Sequence, residues 1–191
     1  MRGPLGGTVA VLVLAGAASA QTAGTTLTIE GTSTIRSWSC DAAGYTVAPE
    51  PPTGFEEGVL RGEKALETVT LTFPVEAIEC GNGKMNDHLR NALKLEDHPQ
   101  ITYWLSTYDI REAESGKTVE AEGVLEIAGF QRPITMDVLV GEDVDGGVRI
   151  SGEQAILMTD YNVEPPSLMF GTLKVGDEVV VKFDMPLAVQ P

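Results

Sequence analysis

Hydrophobic residues recur at every second position along most of this chain, and that rhythm restricts the possible folds more than any other feature. Val179, Val181, Phe183, Met185 and Leu187 fall on one face, with Lys182 and Asp184 on the other. Ile134, Met136, Val138 and Val140 alternate with Thr135, Asp137 and Leu139, and Val69, Leu71 and Phe73 alternate with Thr70 and Thr72. A strand turns successive side chains to opposite sides, so such runs build antiparallel sheet with one buried face. Further runs over 26–34, 58–62, 101–108, 118–127 and 147–157 bring the expected total to about eight strands.

The connections suit hairpins. Ala128 to Pro133, Gly146-Gly147 and Val175-Gly176-Asp177-Glu178 punctuate the alternating runs, so neighbouring strands are expected to pair antiparallel. The proline- and acid-rich stretch from Ala48 to Gly58 reads as a surface loop. One segment breaks the rhythm: Met85, Leu89, Ala92 and Leu93 share a helical face. Asn86 as N-cap, Asp87 in the first turn, Lys94 in the last and Pro99 beyond them predict one short helix over about 86–95. The result is a single all-β domain, and either a sandwich or a closed barrel satisfies the alternation. An eight-stranded barrel encloses its own side chains or one small ligand.

The N-terminus specifies an address. Arg2, an apolar run of eleven residues from Thr8 to Ala18, and Ala18-Ser19-Ala20 together read as a secretory signal peptide over 1–20. The run falls short of the roughly 18 to 20 residues a membrane span requires, so no permanent span is expected. The mature domain, 21–191, is therefore expected in the periplasm or outside the cell, as a monomer or homodimer. An exported chain with two cysteines, Cys40 and Cys80, is expected to join them in a disulfide. Closing a loop of that length stabilises by at most about 4 kcal/mol.

Charge excludes some partners. Thirteen basic residues against 28 acidic ones give −15, and loss of Arg2 makes it −16. Nucleic acid would be repelled, and no basic run offsets this. Catalytic signals are equally sparse. His88 and His98 form no compact ligand spacing, and neither a G-x-S-x-G elbow nor an S-x-x-K occurs, so no catalytic residue, metal or cofactor is expected. The sequence instead carries bulky, adaptable apolar groups, among them Trp38, Tyr103, Trp104, Met136, Met158, Met169, Phe170, Phe183 and Met185. Aromatic and thioether groups of this kind suit either plain core packing or the lining of a site for a flexible apolar ligand.

Three segments carry a resemblance. The first is Gly81-Asn82-Gly83-Lys84-Met85-Asn86-Asp87-His88-Leu89, followed by Ala92-Leu93-Lys94 and His98-Pro99-Gln100-Ile101-Thr102. The second runs from Glu122 through Gly123-Val124-Leu125 and Ala128-Gly129-Phe130-Gln131-Arg132-Pro133 to Ile134. The third is Met158-Thr159-Asp160-Tyr161-Asn162-Val163-Glu164-Pro165-Pro166, with Gly171 to Val179. In order and spacing they resemble the YceI-like, lipid- and polyisoprenoid-binding proteins over about residues 27 to 189. The resemblance implies a lipocalin-like antiparallel barrel with a helix, exported in many members, whose interior takes a long isoprenoid chain. Departures include Gly31-Thr32-Ser33-Thr34-Ile35-Arg36-Ser37-Trp38, where many members have a histidine-rich strand, and Tyr161 in place of phenylalanine.

The expected function is that of a non-catalytic carrier binding an isoprenoid lipid, a quinone or polyprenyl chain, inside the barrel. Trp104, Met136, Val138, Phe183 and Met185 are the expected apolar lining, with Arg36, Lys84 and Arg90 as head-group contacts. Lys94 and Lys174 are further basic residues within reach of a mouth. The overall charge of −16 favours a neutral head such as a quinone over a diphosphate, although screening within about 8 Å weakens that preference. Two rivals stand beside this reading: a filled barrel acting as a structural, interaction or envelope stress-tolerance protein, and a hydrolytic or metal site around Asp87 and His88.

Overall fold

The computed structural model describes residues 25–49, 52–113, 116–143, 147–168 and 172–187. The expected signal peptide, Gly146, Met169 and Phe170 lie outside them. The strands are β1 (Thr26–Ser33), β2 (Ser37–Ala42), β3 (Thr46–Ala48), β4 (Thr70–Pro74), β5 (Ile78–Glu79) and β6 (Gln100–Ala113). They continue with β7 (Gly116–Ile127), β8 (Phe130–Glu142), β9 (Val148–Leu157), β10 (Ser167–Leu168) and β11 (Leu173–Pro186). All belong to one antiparallel sheet in the order β3-β4-β6-β7-β8-β9-β11-β1-β2-β5, with β10 beside β11. The sheet curls into an open barrel, and its end strands β3 and β5 are not paired to each other.

Seven of the eight strand segments read from the sequence are strands. The count rises to eleven because β3, β5 and β10 are only two or three residues long, too short to show a period. β2 is longer, but SWSCDA carries small and polar groups where apolar ones would alternate.

The segment 58–62 is not a strand, and 48–58 is not wholly a loop. Both contribute to helix α1 (Phe55–Arg61), bracketed by Gly54 at φ 81° and Gly62 at φ 87°. Left-handed backbone at each end suits glycine and confines the helix to two turns. Two turns are too few to reveal a 3.6-residue period, so burial of Phe55 and Val59 decides the conformation.

Two other segments expected as turns fold differently from each other. Ala128 and Gly129, both with positive φ, form a two-residue hairpin linking β7 to β8, with Ile127 opposite Phe130. By contrast, Val175 to Glu178 is not a turn. It lies inside β11, where the ladder with β1 shifts register between Gly31 and Ser33, so glycine here serves a bulge.

The second helix, α2 (Gly83–Ala92), starts earlier than its sequence suggested. Its N-cap is Asn82, whose side chain accepts from the N–H of Lys84 at 3.0 Å and of Met85 at 3.3 Å. Asn86 is instead buried: it accepts from the Cys80 N–H at 2.8 Å and donates to Glu79. Beside it, Cys40 and Cys80 are joined in a disulfide that ties β2 to the approach to α2.

Two apolar clusters flank the barrel. The larger packs Phe55 and Val59 of α1 against Tyr108, Val119, Val138, Val140, Val148 and Leu187. The smaller gathers Ala128, Tyr161 and Val163, with Ala92 and Leu93 at the C-terminal end of α2.

Candidate functional site

Between these clusters the barrel is hollow. A cavity of about 880 Å³ runs through it, at the upper end of the roughly 300–1,000 Å³ found for small-molecule sites. Strand pleat explains its lining. The alternating faces of Val69, Leu71 and Phe73, of Ile134 through Val140, and of Val179 through Leu187 all turn inward and border it. Met136, Val138, Phe183 and Met185 are thus brought together at one lumen.

Trp104 is not. Its neighbours Tyr103 and Leu105 border the cavity, so alternation places Trp104 on the opposite face, in register with Thr70 and Val124. The continuous run Tyr103-Trp104-Leu105 hides the phase of the pleat from sequence reading. A bulge between Leu105 and Thr107 then resets the phase, which lets Leu105 and Tyr108 both face inward.

Three inward glycines keep the lumen wide. Gly31 pairs with Trp38 and Gly152 with Phe183; Gly123 lies against the Tyr103 ring. A Cβ on Gly152 would come within 2.8 Å of the Phe183 ring, one on Gly123 within 2.5 Å of the Tyr103 ring, and one on Gly31 would collide with Trp38. Each aromatic ring therefore occupies the space a side chain would fill, and lies along the wall. The signal was present in the sequence as glycines at inward parity, but only the register says which rings they meet.

The lining is apolar with few polar exceptions. Tyr103 is 6% exposed and its hydroxyl has no hydrogen-bond partner. Burial pushes its pKa up to about 12. Tyr161 is also raised, by burial first and by Asp160 second, with Arg132 opposing.

One end of the cavity is bordered by α2. Met85, Leu89, Ala92 and Leu93 line it, yet Asn86 is the one buried residue of the helix. The exposed residues Arg36, Ser37, Gly81, Asn82, Lys84 and His88 also border the cavity and mark where it meets solvent. Ile35, 66% exposed, caps the adjoining β1–β2 turn. Of the expected head-group contacts, Arg36 and Lys84 stand at this mouth. Arg90 does not: its guanidinium donates to Glu79 at 2.7 Å and to the Glu76 carbonyl at 2.9 Å. Lys94 lies over the Phe130 ring, 4.9 Å from its centre. His88, three residues after Met85 and four before Ala92, shares their helical face and borders the cavity, although sequence reading considered it only for a rival metal or hydrolytic site. Among the described residues, no three His, Cys, Asp or Glu side chains converge to hold a metal.

A curled antiparallel sheet around an apolar lumen with a polar rim defines a ligand-enclosing β-barrel. Comparison places it further: the YceI-like domain pattern matches residues 16–187, and the chain belongs to that family. Its fold is similar to that of Burkholderia cenocepacia BcnA, with a TM-score of 0.67 at 19% identity, covering 87% of this chain and 98% of that one. A polyisoprenoid-binding domain from Saccharophagus degradans, implicated in plant cell wall breakdown, aligns with a TM-score of 0.61 at 13% identity, covering 86% and 92%. The Campylobacter jejuni YceI protein aligns with a TM-score of 0.56 at 16% identity, covering 80% and 85%. No curated protein matches the sequence.

Proposed function

We propose that the protein is an exported, non-catalytic carrier that holds the chain of an isoprenoid-type lipid, a quinone or polyprenyl chain, within its lumen. The observation that carries this reading is the 880 Å³ apolar cavity, which a filled structural barrel would lack. Each methylene moved from water into such a lining contributes about 0.8 kcal/mol before losses of chain and association entropy. Kinship with the YceI-like family and the fold shared with a polyisoprenoid-binding domain support the choice of ligand class. Met136, Val138, Phe183 and Met185 are assigned to the chain, and Arg36 and Lys84 to its head.

Export is supported by the basic start and eleven-residue apolar run of the N-terminus and by the disulfide, since such bonds persist in oxidising compartments. No helix of the described residues is long and apolar enough to cross a membrane.

Native mass spectrometry of protein isolated from its own cell envelope tests the carrier reading. The expected result is a one-to-one complex with a prenyl lipid, lost in Val181→Trp, which fills the lumen. Protein that comes away empty, and that binds neither a prenol nor a prenyl quinone when offered them, overturns it.

A further inference from the structure

The wall of the barrel is not continuously bonded. β8 pairs with β7 from Phe130 to Val140, but with β9 only from Leu139 to Glu142, opposite Ser151 to Val148. From Pro133 to Asp137, β8 has no ladder partner on its second side among the described residues. A seam therefore opens between β8 and β9. Its far end is closed where Arg132 donates to the Asp160 carbonyl at 2.8 Å, in the single turn Met158–Tyr161.

Which backbone groups face the seam follows from the register. Ile127 and Phe130 close a two-residue hairpin, so Phe130, Arg132, Ile134 and Met136 direct their N–H and C=O groups to β7. Those of Pro133, Thr135 and Asp137 point the other way. Proline suits this parity, because no β7 bond is lost with its missing N–H. The Asp137 carbonyl agrees: a Cβ on Gly152 of β9 would meet that oxygen at 2.9 Å. Across the seam the Gln154 side chain already donates to the Ala155 carbonyl at 3.0 Å, which leaves β8 as the more open edge.

We infer that this edge of β8 receives an extended segment of another protein, one that alternates apolar and basic side chains. Backbone pairing with an exposed edge adds a strand, and the pleat then sends successive side chains to opposite faces. The inner face of the seam carries Ile134, Met136, Gln154 and Ile156, which border the lumen. The outer face carries Glu122, Asp137, Glu153 and Glu178, all exposed. Glu122 lies opposite Thr135, and Glu178 opposite Leu157. Glu122, Asp137 and Glu178 form no ion pair among the described residues. Glu153 faces Lys182, which Glu30 holds at 2.7 Å. Leu139 and Leu157, 47% and 42% exposed, add apolar surface on the outer face of these two strands. A second copy of the chain is a poor occupant. At −15 overall, it would bring acids against acids, and charge beside an open edge opposes self-pairing.

The test uses the full chain and a short capped peptide alternating lysine and valine, with amide hydrogen exchange read residue by residue. In the free protein, Thr135 and Asp137 should exchange faster than Ile134 and Met136, whose N–H groups are bonded to β7. Saturating peptide should slow Thr135 and Asp137 by at least about tenfold and leave the amides of β1 unchanged. A fully N-methylated peptide should not bind, and a glutamate–valine peptide should bind at least about tenfold more weakly than the lysine one. Thr135→Pro, which removes a seam-facing N–H, should weaken peptide binding by at least about tenfold, whereas Thr135→Val should keep it. If Thr135→Pro fails to fold, the peptide comparisons on the wild type decide the matter. Absence of slowing at Thr135 and Asp137 overturns the assignment, as does equal binding of the N-methylated or glutamate peptide. Slowing that rises with protein concentration and needs no peptide also overturns it, since the seam would then be a contact between copies.

Discussion

The two helices bracket the same barrel and do opposite things with it. α1 inserts Phe55 and Val59, 2% and 5% exposed, into a packed cluster with Val119, Val140, Val148 and Leu187. α2 is longer, ten residues against seven, yet its apolar side chains remain half-buried and border empty space. Only its C-terminal end, Ala92 and Leu93, packs on the smaller cluster; the rest is secured by polar and covalent links: Asn86 to Cys80 and Glu79, Arg90 to Glu79, and the disulfide just before it. One helix is a plug and the other a cover. An amphipathic stripe reveals that a helix has an apolar face, but not whether protein or a cavity lies against it.

That contrast yields measurable differences in stability. Phe55→Ala should lose about 3–5 kcal/mol, because a rigid cluster cannot collapse around the missing ring; urea unfolding gives the value. Replacing both cysteines, Cys40→Ala/Cys80→Ala, should cost up to about 4 kcal/mol from loop entropy. It should also speed hydrogen exchange of the α2 amides more than those of α1. Leu89→Ala should cost only about 1 kcal/mol, since its side chain is half-buried, yet it should weaken prenol binding several-fold. Equal losses from Phe55→Ala and Leu89→Ala would erase the distinction between plug and cover.

One expected change of similar size to that of Leu89→Ala is a gain. Tyr103→Phe removes a buried hydroxyl that has no partner and should stabilise the protein by about 1 kcal/mol. The same substitution carries a pH signature. A phenol held up to about 12 in the folded state, against an ordinary value near 10, contributes stability that is complete below about pH 10 and lost as pH climbs towards 12. Chemical-denaturation midpoints recorded from pH 9 to 12 should fall less steeply in the variant, with Tyr161 supplying part of the remaining slope.

Much of this architecture is legible in the sequence, for an identifiable reason. Where one face is buried and the other wet, the period of two is written plainly, as in 134–140 and 179–187, and the inward side chains follow directly. Legibility fails where that contrast vanishes. Tyr103-Trp104-Leu105 is apolar throughout, so nothing in the run says that Trp104 faces away from the lumen. α1 is too brief to display its period, and Asn86 reads as the cap of α2 although Asn82 caps it and Asn86 is taken by Cys80 and Glu79. The basic residues expected at a head group show the same limit: Arg36 and Lys84 reach the mouth, whereas Arg90 finds Glu79 first. Composition predicted repulsion of anions from the total charge, and only the folded arrangement reveals how unevenly that charge is distributed.

The glycines opposite Trp38, Tyr103 and Phe183 bear on what a lumen of this kind could admit. Bore is governed there by three missing methyl groups rather than by the residues that remain. A family member with alanine at those points would be pressed to swing its rings into the passage, accepting a thinner occupant while retaining every greasy contact. Cargo calibre can therefore drift through single-carbon steps that a survey of hydrophobic lining would never register.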